Sequence, residues 1–360
     1  MANQMPTLNT TTPWIKVAQL ALLSLLVVSA SAQSSSPSSP PPSAPAAAQQ
    51  QAPAPSTPPS TSKVPPPADP EAQAAPGTDD AVTVIRARTN EVNVVFTVTD
   101  KHGRHITDLK QNDFRVLDDN KAPAEIRSFS AEANLPLQVG LLIDASNSVR
   151  DRFKFEQESA IEFLNQTVRP RYDRAFVIGF DATPEITQDF TDNTDLLAHG
   201  VHELRPGGGT ALYDAVYYAC RERLLKAPKG TPVRRAIILL SDGDDNLSHV
   251  TREEAIEMAQ RAEAIIYTIS TNVSGTKAAG DKVLERIADA TGGRAFFPFQ
   301  IRDVANAFSE IQEELRSQYA VSYKPADLKL DGHYRTIEIV ANDRKNFRVR
   351  ARLGYYAPTQ

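Results

Sequence analysis

A single cysteine, Cys220, stands in the 360 residues, so an intrachain disulfide and a zinc site built from several thiolates are both excluded. Its neighbours follow an apolar helical pattern, and it reads as a small core residue. No GxSxG, HExxH or P-loop stretch occurs, which removes the usual signatures of serine hydrolases, zinc proteases and nucleotide-binding enzymes. The six histidines (His102, His105, His199, His202, His249 and His333) are scattered. Only His102/His105 and His199/His202 are three apart, and the second, helical pair reads as part of a solvated face. Basic charge is not in excess: 39 Lys and Arg against 44 Asp and Glu give a net charge of −5, so nucleic acid is not an expected partner. The apolar run Val17 to Val28 is short of the ~20 residues a spanning helix needs.

What is present begins with that run. Lys16, the apolar core and Ala30-Ser31-Ala32 make residues 1–32 a secretory signal. No cysteine sits at the cleavage point to carry a lipid anchor. The expectation is export, to the periplasm or outside the cell, with no membrane span after cleavage. Residues 33–80 are Pro, Ser, Ala and Gln with almost no large apolar side chain, and most of the 26 prolines lie before residue 80. Such a stretch cannot bury enough surface to offset its chain entropy and reads as a disordered, extended linker.

Patterned sequence starts at Val82. Val82 to Ile85, Val92 to Thr99, Phe114 to Leu117 and Ile126 to Phe129 are rich in β-branched or aromatic residues and separated by turn signals. From residue 135 to 317 apolar strands alternate with helix-length segments: strands at Leu137 to Ile143, Ala175 to Phe180, Arg235 to Leu240, Ala264 to Ser270 and Arg294 to Phe297. The intervening helices are Asp151 to Gln166, Asp192 to Leu204, Ala211 to Leu225, Arg252 to Ala262, Asp281 to Ala290 and Ile301 to Ser317. That alternation predicts an α/β fold, a doubly wound, mainly parallel sheet with helices on both faces, with Glu185 to Phe190 as an antiparallel edge. After Ser317 the period returns to two over Tyr319 to Tyr323, Tyr334 to Val340 and Phe347 to Leu353. Neither β segment is large enough to stand alone. The expectation is one all-β, sandwich-like domain split between residues 82–130 and 318–357, with the α/β domain of residues 135–317 inserted in it. The alternating Arg348, Arg350 and Arg352 read as its solvated side.

Three oxygen-rich clusters each end a strand or open a helix. Asp144-x-Ser146-x-Ser148 follows the first parallel strand, Thr210 follows three glycines before a helix, and Asp242 lies in Ser241-Asp242-Gly243. Hard oxygens packed together are costly to bury without a cation, and Mg²⁺ and its relatives take oxygen ligands. Each cluster also has a plain reading: a helix cap with Ser148 or Asp151 at the N-terminus, a loop, a turn. Asp242, Asp244, Asn246 and Glu253 mimic a calcium loop, but Leu247 occupies the place of its glycine and a strand precedes it. Asp244 and Asp245 read instead as rim charges.

Taken together, DxSxS, the GGT-x-LYDA loop and the strand followed by SDG resemble the metal-ion-dependent adhesion site of von Willebrand factor type A domains and integrin inserted domains. The resemblance covers about Leu137 to Leu315. The flanks, VTDKHGRHITDLKQNDFRVLDDNKAPAEIRSFS, LRSQYAVSYKP and VRARLGYY, are similar to the VWFA-related family of acidobacterial type. The resemblance implies that Asp144, Ser146, Ser148, Thr210 and Asp242 hold one divalent cation, Mg²⁺ first and Mn²⁺ or Ca²⁺ next. Ser146 and Ser148 would bind through their hydroxyls, Thr210 directly or through water, and the two aspartates partly through water. A coordination position is left for the carboxylate of a protein partner. Asn147 departs from the glycine common between the two serines, a change the loop tolerates because Asn accepts left-handed backbone. The implied function is non-catalytic binding or adhesion, with a last helix (Ile301 to Ser317) able to slide. The alternative is an envelope scaffold in which the metal only stiffens the fold.

Overall fold

The structure, a computed structural model, describes residues 91–131, 135–227, 233–272, 274–300, 302–342 and 346–359. The expected signal, linker and Val82 to Ile85 strand lie outside the described residues. The elements in chain order are β1 (Val92–Asp100), β2 (Phe114–Asp118), β3 (Glu125–Ala131), β4 (Leu137–Asp144), α1 (Phe153–Thr167), β5 (Arg174–Phe180), β6 (Pro184–Thr191), α2 (Thr194–Glu203), α3 (Leu212–Tyr218), β7 (Arg234–Ser241), α4 (Arg252–Arg261) and β8 (Ala264–Ser270). Then come α5 (Ala279–Thr291), β9 (Ala295–Phe296), α6 (Asp303–Leu315), β10 (Gln318–Lys324), β11 (Tyr334–Ala341), β12 (Phe347–Ala351) and β13 (Gly354–Tyr356).

Apolar runs without polar alternation are buried on both faces, and they form the centre of a six-stranded sheet of order β6-β5-β4-β7-β8-β9. All neighbours in it are parallel except β5 and β6. Successive residues of each strand feed opposite cores. Val139, Leu141, Ile143, Ile238 and Leu240 pack with Phe153, Phe163, Leu197, Phe308 and Ile311 of α1, α2 and α6. Leu142, Ile237, Leu239 and Ile178 pack with Leu212, Ala215, Ala259, Leu284 and Ile287 of α3, α4 and α5. Helix starts are fixed locally. The Asn193 side chain accepts from the amides of Asp195 and Leu196 at the head of α2, and Thr251 with Glu254 makes a capping box for α4. Cys220 is fully buried on the α3 side. It lies in a π-helical turn, Ala219–Leu224, that continues α3 where one straight helix was expected.

The flanking segments form two antiparallel sheets of order β12-β1-β10-β3 and β13-β11-β2. Val94, Phe96, Val98, Tyr319, Val321, Ile337 and Ile339 fill the space between them. Asp118, buried there, accepts from the Tyr323 hydroxyl at 2.8 Å and the Tyr355 hydroxyl at 3.0 Å. Burial first, and then the Asp118 carboxylate, raise both phenols above their usual range.

Two expectations need correction. The last strand breaks at Arg352 and Leu353, and its continuation, β13, joins the other sheet. Of the three alternating arginines only Arg348 is exposed. Arg350 meets the fully buried Glu314 of α6 at 2.5 Å, while Arg352 donates to the carbonyls of Asn93 at 2.7 Å and Gln260 at 3.3 Å. A period-two pattern marks two faces without saying which one meets solvent, and here Glu314 of α6 and Gln260 of α4 lie against the basic one. Among the described residues no helix is long and apolar enough to cross a membrane.

Candidate metal centre

The strand order reverses at β4, with β5 on one side and β7 on the other. The carboxyl ends of strands at such a switch point leave a crevice where ligands bind. Asp144 closes β4 in register with Phe180, and the end of β7 lies on its other side, Ile143 opposite Leu240. Asp144 is 1% exposed. Its Oδ1 accepts from the Ser146 amide at 2.8 Å, and its Oδ2 accepts from the Ser241 hydroxyl at 2.7 Å. Burial pushes its carboxyl up to about 6; the bonds from Ser241 and Ser146 oppose this and the charge of Asp242 adds to it.

Ser146 and Ser148 do not cap α1. That helix begins at Phe153 with Arg152 as its N-cap and no side-chain cap bond. Instead the two hydroxyls face each other at 2.9 Å across a short 3₁₀ turn, Asn147–Val149. The turn is held from the glycine loop: the Asn147 side-chain amide donates to the Gly208 carbonyl at 3.1 Å, and the Gly207 amide donates to the Ala145 carbonyl at 2.7 Å. Gly208 has φ +68°, and a Cβ there would come within 2.9 Å of the Asp181 carboxylate.

Thr210, 4% exposed, is tied to the third loop. Its amide donates to Asn246 Oδ1 at 2.9 Å, and its carbonyl accepts from the amides of Asn246 and Leu247, both at 3.0 Å. Asp242 is half-buried and accepts from the Asp244 amide at 3.2 Å. The sharp turn after it needs Gly243, which has φ +82° and whose added Cβ would lie 2.2 Å from the Gly280 carbonyl oxygen. Each of the three loops is therefore hydrogen-bonded to the other two, first to second through Asn147 and Gly207, second to third through Thr210, third to first through Ser241.

The third loop corrects one reading. Asp245 is not a rim charge: it accepts from the Tyr213 amide at 3.1 Å and from the Ser248 hydroxyl at 2.5 Å, fastening the loop to the start of α3. The calcium-loop side chains are turned elsewhere, Asn246 to Thr210 and Glu253 to Arg252. Of the histidines, His199 and His202 lie exposed on α2, while His249 meets Asp214 at 2.8 Å. Sequence reasoning missed Ser241, fully buried against Asp144, and Asn246. The adjacency of Ser241 could have been read from the parallel pairing of β4 with β7, which places the residue ending β7 beside the one ending β4.

The donors offered are hydroxyls and carboxylates alone, the chemistry of a hard divalent cation. Among the described residues no group of three or more His, Cys, Asp and Glu is placed to hold a metal. Asp144 spends one bond on each oxygen and keeps lone pairs in reserve. A buried carboxyl pushed up this far is one a neighbouring cation would return to its charged form.

Residues 139–244 match the family described as von Willebrand factor type A domain. A search of curated proteins gave no match. Among solved structures the chain is similar to proximal thread matrix protein 1 from the mussel byssus, at 16% identity over 54% of this chain and 49% of that one, TM-score 0.44. It is similar to a von Willebrand factor type A protein from Catenulispora acidiphila, at 15% identity over 70% and 75%, TM-score 0.43. The PilB minor pilin from Streptococcus sanguinis follows, at 14% over 51% and 62%, TM-score 0.41. The chain thus spans about half the length of the mussel protein it matches.

Proposed function

The chain carries a von Willebrand factor type A domain, and from that premise we propose that it is an exported, non-catalytic binding protein whose cation site engages an acidic residue of a partner protein. Asp144, Ser146, Ser148, Thr210 and Asp242 would hold the cation, with Mg²⁺ the first choice and Mn²⁺ or Ca²⁺ the alternatives. The observation that carries the reading is the closure of three sequence-distant loops on one another around the buried Asp144, with the Ser146 and Ser148 hydroxyls left unused as helix caps. When bound, the cation supplies a positive charge that a carboxylate from outside can meet. The protein's part is to hold its own donors still: Ser241 orients the Asp144 carboxylate, Asn147 and Gly208 fix the serine turn, and Asn246 fixes Thr210.

Two measurements test this. Calorimetric titration should show one divalent cation bound per chain, with binding lost in Asp144→Ala and in Asp242→Ala while both variants stay folded. Binding of carboxylate-bearing peptides should vanish on chelation and on amidation of the carboxylate. Binding that survives a chelator would favour the scaffold alternative, and absence of cation binding would remove the reading altogether.

A further inference from the structure

Beneath the serine turn lies a pair of charges that the proposed donor set does not use. Arg152 and Glu156 stand one turn apart at the head of α1, 8% and 0% exposed, with Nε and Oε1 3.4 Å apart. Both oxygens of Glu156 and all three guanidinium nitrogens of Arg152 are buried without a hydrogen-bond partner. Glu156 lies on the stripe of α1 that packs toward the sheet, between Phe153 and Ala160. Besides Arg152, the charges that act on it are Asp144 and Asp242, the two carboxylates of the proposed site.

A buried ion pair this poorly bonded is a weak source of stability. Desolvating two ions outweighs their attraction unless hydrogen bonds complete the arrangement, and an apolar pair of the same volume is often as stable or more so. Buried polar atoms left without partners call for a missing water or ion. A divalent site whose inner ligands are mostly neutral hydroxyls is also one where an outer carboxylate has the most charge to add.

Resting on the cation-site reading above, we propose that Glu156 is a positioning residue of that site, an outer carboxylate that reaches the bound cation's shell from the core side through ordered water, with Arg152 holding it in place. Outer-shell partners of metal ligands typically change metal affinity 10- to 100-fold when removed, and Glu156 is placed here as one that acts through water.

The test is calorimetric titration of Mn²⁺ into the full chain and its Glu156→Gln and Glu156→Asp variants, beside thermal unfolding of each in the absence of metal. The expected result is Mn²⁺ affinity about tenfold weaker in E156Q, affinity within about threefold of the parent in E156D, and a metal-free Tm in E156Q equal to or above the parent's. A structural role for the pair gives the reverse, a lowered metal-free Tm in E156Q with unchanged affinity, and overturns the proposal. Equal losses of affinity in E156Q and E156D overturn it as well, since charge would then not be what matters. An E156Q chain that does not fold without metal is the lowered-Tm outcome taken to its limit and overturns the proposal as well. Failure of the parent chain to bind Mn²⁺ is a different result, which removes the cation site itself.

Discussion

At the scale of single residues, the charges under the rim give the metal-free protein an unusual pH response. Burial pushes the Glu156 carboxyl up to about 8; Arg152 opposes this and the carboxylates of Asp144 and Asp242 add to it. A carboxyl raised on folding binds its proton more tightly in the native state than in the unfolded chain. Its contribution to stability is therefore whole below the ordinary glutamate range and is lost as pH rises to about 8. Asp144, at about 6, acts the same way over the lower part of that window. In a chelator, the urea midpoint should fall as pH rises from about 4.5 to about 8. Glu156→Gln should keep the decline up to about 6 and flatten the rest. A midpoint that rises across the window would contradict the assignment. Asp173 works in the opposite sense: burial raises its carboxyl, but bonds from Arg169 and Leu137 outweigh this and leave it below its usual range, so its contribution is lost in acid.

At the scale of elements, the telling contact is between α6 and the four-stranded antiparallel sheet. Glu314, fully buried near the end of α6, meets Arg350 of β12 and accepts from the Thr97 hydroxyl of β1 at 3.4 Å. Arg234 of β7 donates to the Leu315 carbonyl and to Gln318 Oε1 at 3.3 Å. The last helix is thus pinned at its C-terminal end by two sheets, and the sliding that the family resemblance implies would have to break a buried ion pair. Removing one partner of such a pair strands the other's charge, at a cost of about 3–5 kcal/mol when both are fully buried. Arg350 is 31% exposed at its side chain, so Arg350→Ala should lower stability by about 2–3 kcal/mol, read as a shift in urea midpoint with an unchanged slope. Arg348→Ala, on the exposed side, should shift it by no more than about 0.5 kcal/mol.

At the scale of the whole molecule, β1 is central to the four-stranded sheet, between β12 and β10. It supplies Val94, Phe96 and Val98 to the core that Tyr319 and Val321 complete. Deleting residues up to 131 would remove both neighbours of β10, β1 and β3, and expose Tyr319 and Val321. The truncated chain should bind a hydrophobic dye and aggregate on size-exclusion chromatography, even though every residue of the α/β sheet is retained. A monodisperse truncation would show that residues 318–359 can close a core by themselves.

The sequence by itself determined what local periodicity can encode. Mostly apolar runs such as Ala264 to Ser270 specified strands buried on both faces, their alternation with helices specified a doubly wound sheet, and Asp144, Ser146 and Ser148 at alternate positions from the end of β4 marked where hard oxygens collect. Tertiary structure alone decided what depends on neighbours far along the chain. It placed Ser241 on Asp144, turned Asp245 inward, carried β13 to a second sheet, and covered Arg350 and Arg352 with helices. Periodicity fixes which face of a strand a side chain takes. What lies against that face, whether water or Glu314, is set by packing between separate elements, 36 residues apart for Arg350 and Glu314 and 97 for Ser241 and Asp144, and no local pattern carries that information.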